Sequence, residues 1–156
     1  MKTRAAVLYE MEASQPYKES KPLKIESLEL ENPHEHEVLL KIHAAGLCHS
    51  DLSVINGSRP RSLPMVLGHE ATGEVLKVGS SVTRVKEGDH VVCTFIPSCG
   101  KCIPCKEGRP ALCENGAKAN EKGEMLEGGI RLSNEDGQVY HHLGVSGFAE
   151  HAVVSE

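Results

Sequence analysis

The sequence has few aromatic residues and no concentration of positive charge. Only 3% of its 156 residues are aromatic, none is tryptophan, and the 17 lysines and arginines are scattered among 22 acidic residues. Base stacking on aromatic side chains and phosphate binding along a basic stripe are therefore both disfavoured. We predict that the chain has no nucleic-acid partner.

Long apolar segments are also missing. The stretch from Val91 to Ile96 is too short to cross a bilayer and is interrupted by Thr94. At the N-terminus, an apolar segment of five residues lies between Arg4 and Glu10, which indicates a first strand and not a signal peptide. We therefore expect a cytoplasmic chain with no membrane partner, whose six cysteines serve metal binding in a reducing compartment instead of disulfides.

A third absence concerns dinucleotide binding. None of the 15 glycines has another glycine two positions away, so the chain contains no G-x-G-x-x-G segment. That segment is the fingerprint of a Rossmann domain, where glycines let the backbone approach a pyrophosphate. The sequence gives no sign of a cofactor-binding domain of that type.

The remaining pattern is mainly β. Short apolar stretches, several with alternating polarity, predict strands at residues 3–9, 22–30, 38–44, 74–78, 89–94 and 148–154. A helical turn or two is expected after Cys48, whereas Pro104 and Pro110 argue against a long helix near them. Residues 115–138 are rich in Gly, Glu and Lys and lack periodicity, which predicts a surface excursion. We predict one small, partly closed β-barrel.

Four cysteines form the strongest motif. Cys99, Cys102, Cys105 and Cys113 have the spacing C-x2-C-x2-C-x7-C. Thiolates at this spacing can converge on one cation, and four of them suit a closed, structural zinc site. An iron–sulfur cluster and unliganded thiols are the alternatives, but the seven-residue gap and the lack of a second cluster motif favour zinc.

A second, weaker pair of candidate ligands lies outside this motif. A lone cysteine or histidine is more often a packed core residue than a ligand, but the neighbours of Cys48 and His69 are unusual for a core. Cys48 lies between Gly46 and the polar run His-Ser-Asp, and His69 lies between Gly68 and Glu70. One Cys and one His beside acidic residues are typical of an open, catalytic zinc site.

These motifs together resemble the zinc-dependent medium-chain alcohol dehydrogenases. The segment Gly68-His69-Glu70-x2-Gly73-x5-Gly79-x2-Val82 is similar to the signature of that family, and Gly46-x-Cys48-His49-Ser50-Asp51 and the four-cysteine lobe occur in the expected order. The resemblance covers essentially all of the chain. It implies that residues 1–156 form an incomplete GroES-like catalytic domain, a partly closed β-barrel with a structural-zinc lobe at about 98–114.

The resemblance also implies a role for individual residues. Cys48 and His69 would be ligands of a catalytic zinc, with Glu70 a second carboxylate near the metal. Asp51 would orient His69, since histidine ligands usually donate their other nitrogen to a carboxylate. Ser50 would take the proton from the substrate hydroxyl.

Two further roles are implied. His49 would meet the pyrophosphate of the cofactor. Phe95 falls where the family has a wall of the substrate pocket, with an ordinary core aromatic as the alternative.

Two departures from the family pattern are visible. The proton relay often ends on a histidine three residues after the hydroxyl, a position that is Ser53 here. The third protein ligand and the Rossmann domain, which the family supplies later in the chain, are expected but absent from residues 1–156. The choice between NAD and NADP therefore stays open.

The implied function is oxidation of a small-molecule alcohol to an aldehyde or ketone, with zinc at both sites and a nicotinamide cofactor. The complete enzyme would be a homo-oligomer, a dimer or tetramer, and residues 1–156 alone would be inactive. A polyol or sugar dehydrogenase of the same superfamily and a non-enzymatic zinc-stabilised module are the alternatives.

Other titratable residues are predicted to be structural. Cys93 is expected to be a buried thiol. His141-His142 suggests a metal site, but neighbouring residues of a strand point to opposite faces. The charged stretch from Glu114 to Glu127 is predicted to be a solvated loop, with a part of the substrate entrance or of the subunit contacts as the alternative, since the family sometimes lengthens this region.

Overall fold

A computed structural model describes residues 1 to 156. Its strands are β1 Lys2–Leu8, β2 Leu23–Leu30, β3 Glu37–Gly46, β4 Met65–Val66, β5 Glu70–Val78, β6 His90–Val92, β7 Leu132–Asn134, β8 Gly137–His141 and β9 His151–Ser155. Its helices are α1 Tyr17–Ser20, α2 His49–Ile55, α3 Ile103–Lys106 and α4 Glu114–Lys122, and Pro110–Leu112 form a 3-10 turn. The mainly β prediction is confirmed.

The strands form two sheets. One is a closed barrel in the order β1-β2-β7-β8-β4, and the other is a four-stranded sheet in the order β6-β5-β3-β9. All pairs are antiparallel except β4 with β8. Closing the barrel removes the unpaired edges that an open sheet of the same strands would expose.

The barrel interior is filled by alternating residues of its strands. Along β1, Thr3, Ala5 and Val7 are buried, while Lys2 and Arg4 are exposed. Ten buried apolar residues form the barrel core, to which the second sheet contributes two. They are Ala5, Val7, Leu28, Leu30, Leu39, Val66, Met125, Leu132, Val139 and Val153. The period of two follows from the pleat of a strand.

A separate cluster holds helix α2 against the barrel. Val54 and Ile55 at the end of α2 pack with Leu8, Met65 and Leu67. Burying an aliphatic side chain of this size stabilises a protein by about 1.5–3 kcal/mol. The start of α2 is thereby fixed beside the residues that follow β4.

A buried ion pair connects the start of β3 to the segment before β7. The Arg131 guanidinium donates to both carboxylate oxygens of Glu37, at 2.9 and 2.7 Å. Both side chains are buried. The pair is bidentate, which is the geometry of the strongest charge-assisted hydrogen bonds.

The prediction of a surface excursion at residues 115–138, together with that of a solvated loop over Glu114 to Glu127, is wrong. This segment contains α4, β7 and part of β8, and Met125 and Leu132 lie in the barrel core. The elements are only three to nine residues long, so they are too short to show a period. Most polar residues of α4 are exposed, although Asn120 is buried, and the structure of β7 and β8 depends on pairing with distant strands.

The remaining differences concern element ends. Strand β5 begins at Glu70 and not at Glu74, and β6 is limited to His90–Val92. The final strand begins at His151, preceded by a single bridge between Ala149 and Ala5. Even the nine-residue helix α4 is far shorter than a membrane span, and the other helices do not qualify as spans either.

Candidate metal centres and cleft

The four-cysteine lobe brings its thiols together. The sulfur atoms of Cys99, Cys102, Cys105 and Cys113 all lie within 4.8 Å of one another, and the Sγ atoms of Cys102 and Cys113 are 3.9 Å apart. A tetrahedral zinc site with Zn–S bonds of about 2.3 Å requires sulfur atoms about 3.8 Å apart. The four thiols therefore fit a structural zinc ion.

Backbone N–H groups in the lobe point at these sulfur atoms. Cys113 Sγ accepts hydrogen bonds from the N–H groups of Cys99 and Gly116, each at 3.3 Å. Hydrogen bonds from Lys101 and Cys102 lower the pKa of Cys99 to about 6. N–H groups that stabilise a thiolate prepare a site for a cation.

The thiols do not all ionise easily without a cation. Burial, followed by the neighbouring thiol of Cys102, raises the pKa of Cys105 to about 12. A bound cation would lower this pKa, since a coordinating thiol is deprotonated by the metal. Such a site is expected to bind metal and release protons together.

Glycine is required where α4 approaches the lobe. A Cβ at Gly116 would lie 2.0 Å from the carbonyl oxygen of Pro97. This close approach lets the Gly116 N–H reach Cys113 Sγ. A larger residue at position 116 would separate the helix from the lobe.

A second donor group lies in a cleft of about 490 Å³. Donor atoms of Cys48, His69 and Glu70 lie within 4.8 Å of one another, and all three residues line the cleft. Cys48 directly precedes α2, and the other two residues lie where the chain enters β5. Residues about 20 positions apart are thus brought to one point. The thiol, imidazole and carboxylate form a donor set that fits an open zinc site.

Asp51 connects the two segments that supply these donors. Its Oδ2 accepts from the Cys48 N–H at 3.3 Å, and its Oδ1 accepts from the Gly68 N–H at 2.9 Å and lies 3.2 Å from Nδ1 of His69. The carboxylate is almost fully buried. It therefore fixes both the start of α2 and the orientation of the His69 ring.

Gly68 has a conformation that other residues adopt poorly. Its φ is +87°, and a Cβ there would lie 2.5 Å from the ring of Phe148. Its carbonyl accepts from the Gly147 N–H at 2.7 Å. The turn that it allows directs His69 into the cleft.

The structure also places the other predicted site residues. Ser50 and Phe95 line the cleft, whereas the exposed His49 does not. Phe95 is 53% exposed and its ring lies edge-on to His69 at 6.2 Å, so it is not a core aromatic.

Two further residues lie outside the cleft. The hydroxyl of Ser53 donates to the carbonyl oxygen of His49 at 3.0 Å. Cys93 is half-buried, and burial raises the pKa of its thiol.

His142 is a site residue that sequence reasoning missed. Its Nε2 lies 3.4 Å from Oδ1 of Asp51, its ring is 5.4 Å from that of His69, and it is completely buried. His142 does not follow the alternation of strand faces, because β8 ends at His141. The paired histidines themselves were the available signal.

Comparison with known proteins agrees with this arrangement. Residues 34–156 match the family model described as the alcohol dehydrogenase GroES-like domain. The chain is 46% identical over 157 residues to the NDMA-dependent alcohol dehydrogenase of Amycolatopsis methanolica, covering all of this chain and 40% of that protein. It is 43% identical over 145 residues to the class-3 alcohol dehydrogenase of Drosophila melanogaster, covering 92% of this chain and 38% of the relative.

Solved structures give the same result. An alcohol dehydrogenase zinc-binding domain protein from Burkholderia ambifaria superposes with a TM-score of 0.87 at 35% identity, covering 100% of this chain and 40% of that one. The benzyl alcohol dehydrogenase of Acinetobacter calcoaceticus gives 0.84 at 34% identity, covering 99% and 39%. The chain thus spans about two fifths of the length of these relatives. Its fold, its lobe and its matched segment show that it belongs to the alcohol dehydrogenase GroES-like domain family.

Proposed function

We propose that this chain is the metal-binding catalytic domain of a zinc- and nicotinamide-dependent alcohol dehydrogenase. The observation that carries the proposal is the convergence of Cys48, His69 and Glu70 in a cleft that also contains the hydroxyl of Ser50. The reaction would convert an alcohol to an aldehyde or ketone. The chemistry supplied by a bound zinc ion and a nicotinamide would be acidification of the substrate hydroxyl and acceptance of the hydride.

Cys48 and His69 would hold the metal, and Asp51 would keep His69 oriented. Because an ionised carboxylate can only accept hydrogen bonds, the contact with Asp51 favours the tautomer of His69 that carries its proton on Nδ1. Nε2 then carries the lone pair that a metal needs. Glu70 supplies a further carboxylate in the same group of donors.

Ser50 would handle the proton of the substrate. Its side chain borders the cleft two residues after Cys48 and is half-buried. A hydroxyl can donate and accept a proton, which a relay requires. Phe95 would form an apolar wall beside the reacting group.

The nicotinamide dinucleotide would be held by residues that this chain does not contain. The chain has no G-x-G-x-x-G segment, and its relatives are about two and a half times as long. From within this chain, His49 would contribute a donor to the cofactor pyrophosphate, since its ring is exposed beside the start of α2.

A non-enzymatic zinc module is less well supported. The four-cysteine lobe alone would stabilise such a module, and the convergence of Cys48, His69 and Glu70 in one cleft would serve no purpose there. A polyol or sugar dehydrogenase would share the same donors and would differ only in substrate.

The test compares metal content and turnover. The 156-residue chain should retain about one zinc in the lobe after dialysis, with weaker binding in the cleft, and should give no NADH signal with primary alcohols. The longer protein that contains it should give that signal and lose it in Cys48→Ser. Turnover that persists in Cys48→Ser, or a longer protein that oxidises no alcohol, polyol or sugar, would contradict the proposal.

A further inference from the structure

The cleft contains two arginines that the proposed reaction does not use. Arg59 and Arg61 follow α2 in the loop that leads to β4, and both line the cleft with Cys48, His69 and Phe95. Arg59 is exposed and Arg61 is half-buried. Two guanidinium groups thus share one cavity with the candidate metal donors.

Neither arginine has a carboxylate partner. Arg4, Arg109 and Arg131 each lie within 4.0 Å of an acidic oxygen, whereas Arg59 and Arg61 form no such ion pair. The only side-chain hydrogen bond of Arg61 is a long one, from Nη1 to the carbonyl oxygen of Pro60 at 3.4 Å. Its Nε is buried and has no hydrogen-bond partner. A buried donor left unpaired is costly, so a ligand that pairs with it is favoured.

The surrounding charges do not satisfy these two groups. Burial, followed by the positive charge of Arg59, lowers the pKa of Arg61, and Glu121 only partly opposes this effect. Glu121 is exposed on α4 and forms no ion pair with Arg61. The other carboxylate of the cleft, Glu70, lies with the metal donors. The two arginines therefore repel each other at a place where an anion would relieve the repulsion.

A second unpaired polar group borders the same cavity. Asn120 on α4 is 7% exposed, lines the cleft, and its side-chain oxygen has no hydrogen-bond partner. The amide can present either its oxygen or its nitrogen, because the two ends are interchangeable by a rotation. Arg61 and Asn120 thus each have hydrogen-bonding capacity that the protein itself does not use.

We propose that the substrate is an alcohol with a carboxylate group, whose hydroxyl lies at Cys48 and His69 and whose carboxylate is bound by Arg59 and Arg61. The inference rests on the proposed function, since it concerns the substrate of the same cleft. A guanidinium pairs with a carboxylate through two parallel hydrogen bonds, which fixes orientation as well as charge. A volume of about 490 Å³ admits an aromatic or short aliphatic hydroxy acid.

A phosphate of the cofactor offers the same chemistry, but the position of the arginines favours the substrate. They share a cavity with the metal donors and with Phe95, whereas His49, the candidate pyrophosphate contact, does not line it. The experiment separates the two sources.

The longer enzyme that contains this chain is assayed with 4-(hydroxymethyl)benzoate and with its neutral methyl ester. The measured quantity is the ratio of kcat/KM for the acid to kcat/KM for the ester. Arg61→Gln should lower this ratio roughly 10- to 100-fold, the range expected for hydrogen bonds to a charged group. Arg61→Lys should lower this ratio less, because lysine keeps the positive charge but cannot form the bidentate pair.

Arg59→Gln should lower the ratio by a smaller factor, because Arg59 is more exposed and its charge is better screened. Arg84→Gln is the matched control: Arg84 also lacks an ion pair but borders a different groove. It should leave the ratio unchanged. Zinc content is measured for every variant, so that loss of fold or metal is separated from loss of anion binding.

Two kinetic outcomes would overturn the proposal. One is a ratio that neither Arg59→Gln nor Arg61→Gln changes. Another is a higher KM for the nicotinamide cofactor with an unchanged ratio, which would assign the arginines to a cofactor phosphate.

If the enzyme oxidises no alcohol at all, the proposed function fails. The anion site is then tested by itself, by titrating benzoate into the 156-residue chain and following binding by NMR. Benzoate binding that is lost in Arg61→Gln would support the anion site, and no binding would exclude it.

Discussion

Asp51 and His69 form the buried contact on which the geometry of the cleft depends. Oδ1 of Asp51 lies 3.2 Å from Nδ1 of His69, and both side chains are less than 5% exposed. The same carboxylate accepts from the N–H groups of Cys48 and Gly68. One side chain thus positions two candidate ligands from segments that are distant in the sequence.

Asp51→Asn should weaken zinc binding in the cleft by roughly 10- to 100-fold, the usual effect of changing the group that orients a histidine ligand. The substitution keeps the shape of the side chain but removes its charge. Competition with a chelator measures the affinity, while zinc in the four-cysteine lobe should remain bound.

The matched control for this prediction is Glu74→Gln. Glu74 also faces a histidine, His43, at 3.9 Å, but that pair is exposed and distant from the donor atoms of the cleft. It should leave both sites unchanged. Equal zinc affinity in Asp51→Asn and in the parent chain would show that Asp51 is only a helix cap.

Removal of the lobe metal should destabilise the chain locally. Cys105→Ser replaces one of four thiols that lie within 4.8 Å of one another, so the closed site loses a ligand. The variant should lose the tightly held zinc after dialysis, and the lobe should become sensitive to protease. Cys93→Ser, which changes a thiol outside the lobe, should retain the zinc. A metal-free chain with an unchanged lobe would contradict this assignment.

The sequence was sufficient to predict the residues whose spacing has a chemical reason. Four cysteines within fifteen positions can hardly serve separate purposes, and strands such as β1 show their period because one face is buried and the other is solvated. The position of Asp51 beside His69 required the resemblance to a family, since 18 residues separate them.

Other features could not be predicted because they depend on distant contacts. Strands β7 and β8 are three and five residues long, and their apolar residues are identified as core only by pairing with β2 and β4. His142 lies beside Asp51 because the chain turns after β8. Arg59 and Arg61 lie in a loop, and nothing in their local sequence indicates that they border the cleft.

The buried pair of Glu37 and Arg131 provides a stability prediction. Arg131→Met would leave the Glu37 carboxylate buried without its cation, which should lower the free energy of unfolding by about 3–5 kcal/mol. Urea denaturation of the zinc-loaded chain measures this. Replacing both residues with apolar ones should restore much of the loss.

Arg109→Met serves as the control for this pair. Arg109 contacts Glu107 on the surface, where an ion pair contributes at most about 1 kcal/mol. If Arg131→Met were no more destabilising than this control, the buried pair would contribute little to the connection between the two sheets.

His141 makes the stability depend on pH. Burial, followed by the charge of Arg131, lowers the pKa of His141 to about 3 from its ordinary value of 6.5. Its Nε2 accepts from the Arg131 N–H at 3.0 Å, which requires the neutral ring. Above pH 6.5 the ring is neutral in both states. As the pH falls from 6.5 towards 3, only the unfolded chain takes up the proton, so stability is lost.

Between pH 7.5 and 5.5 this single group should cost about 1.4 kcal/mol of unfolding free energy. His141→Gln keeps a hydrogen-bond acceptor but cannot titrate. The fall in its unfolding free energy over the same pH interval should therefore be smaller than that of the parent by about 1.4 kcal/mol. His36→Gln, on the surface, should behave like the parent. Parallel curves for His141→Gln and the parent would show that His141 does not titrate on unfolding.

Ser50 should matter for turnover and not for metal binding. It lines the cleft two residues after Cys48, whereas the thiol, imidazole and carboxylate that fit a zinc ion there belong to Cys48, His69 and Glu70. In the longer enzyme, Ser50→Ala should therefore keep both zinc ions and lower kcat/KM by roughly 10²–10⁴-fold, the usual contribution of general acid–base catalysis. Ser50→Thr keeps the hydroxyl and should retain much of the activity.

Ser53→Ala is the neighbouring control: the Ser53 hydroxyl donates to the His49 carbonyl, so its loss should have a much smaller effect. Steady-state kinetics across pH, with zinc counted on the same samples, gives the result. A Ser50→Ala enzyme as active as its parent at every pH would refute the relay while leaving the metal sites in place.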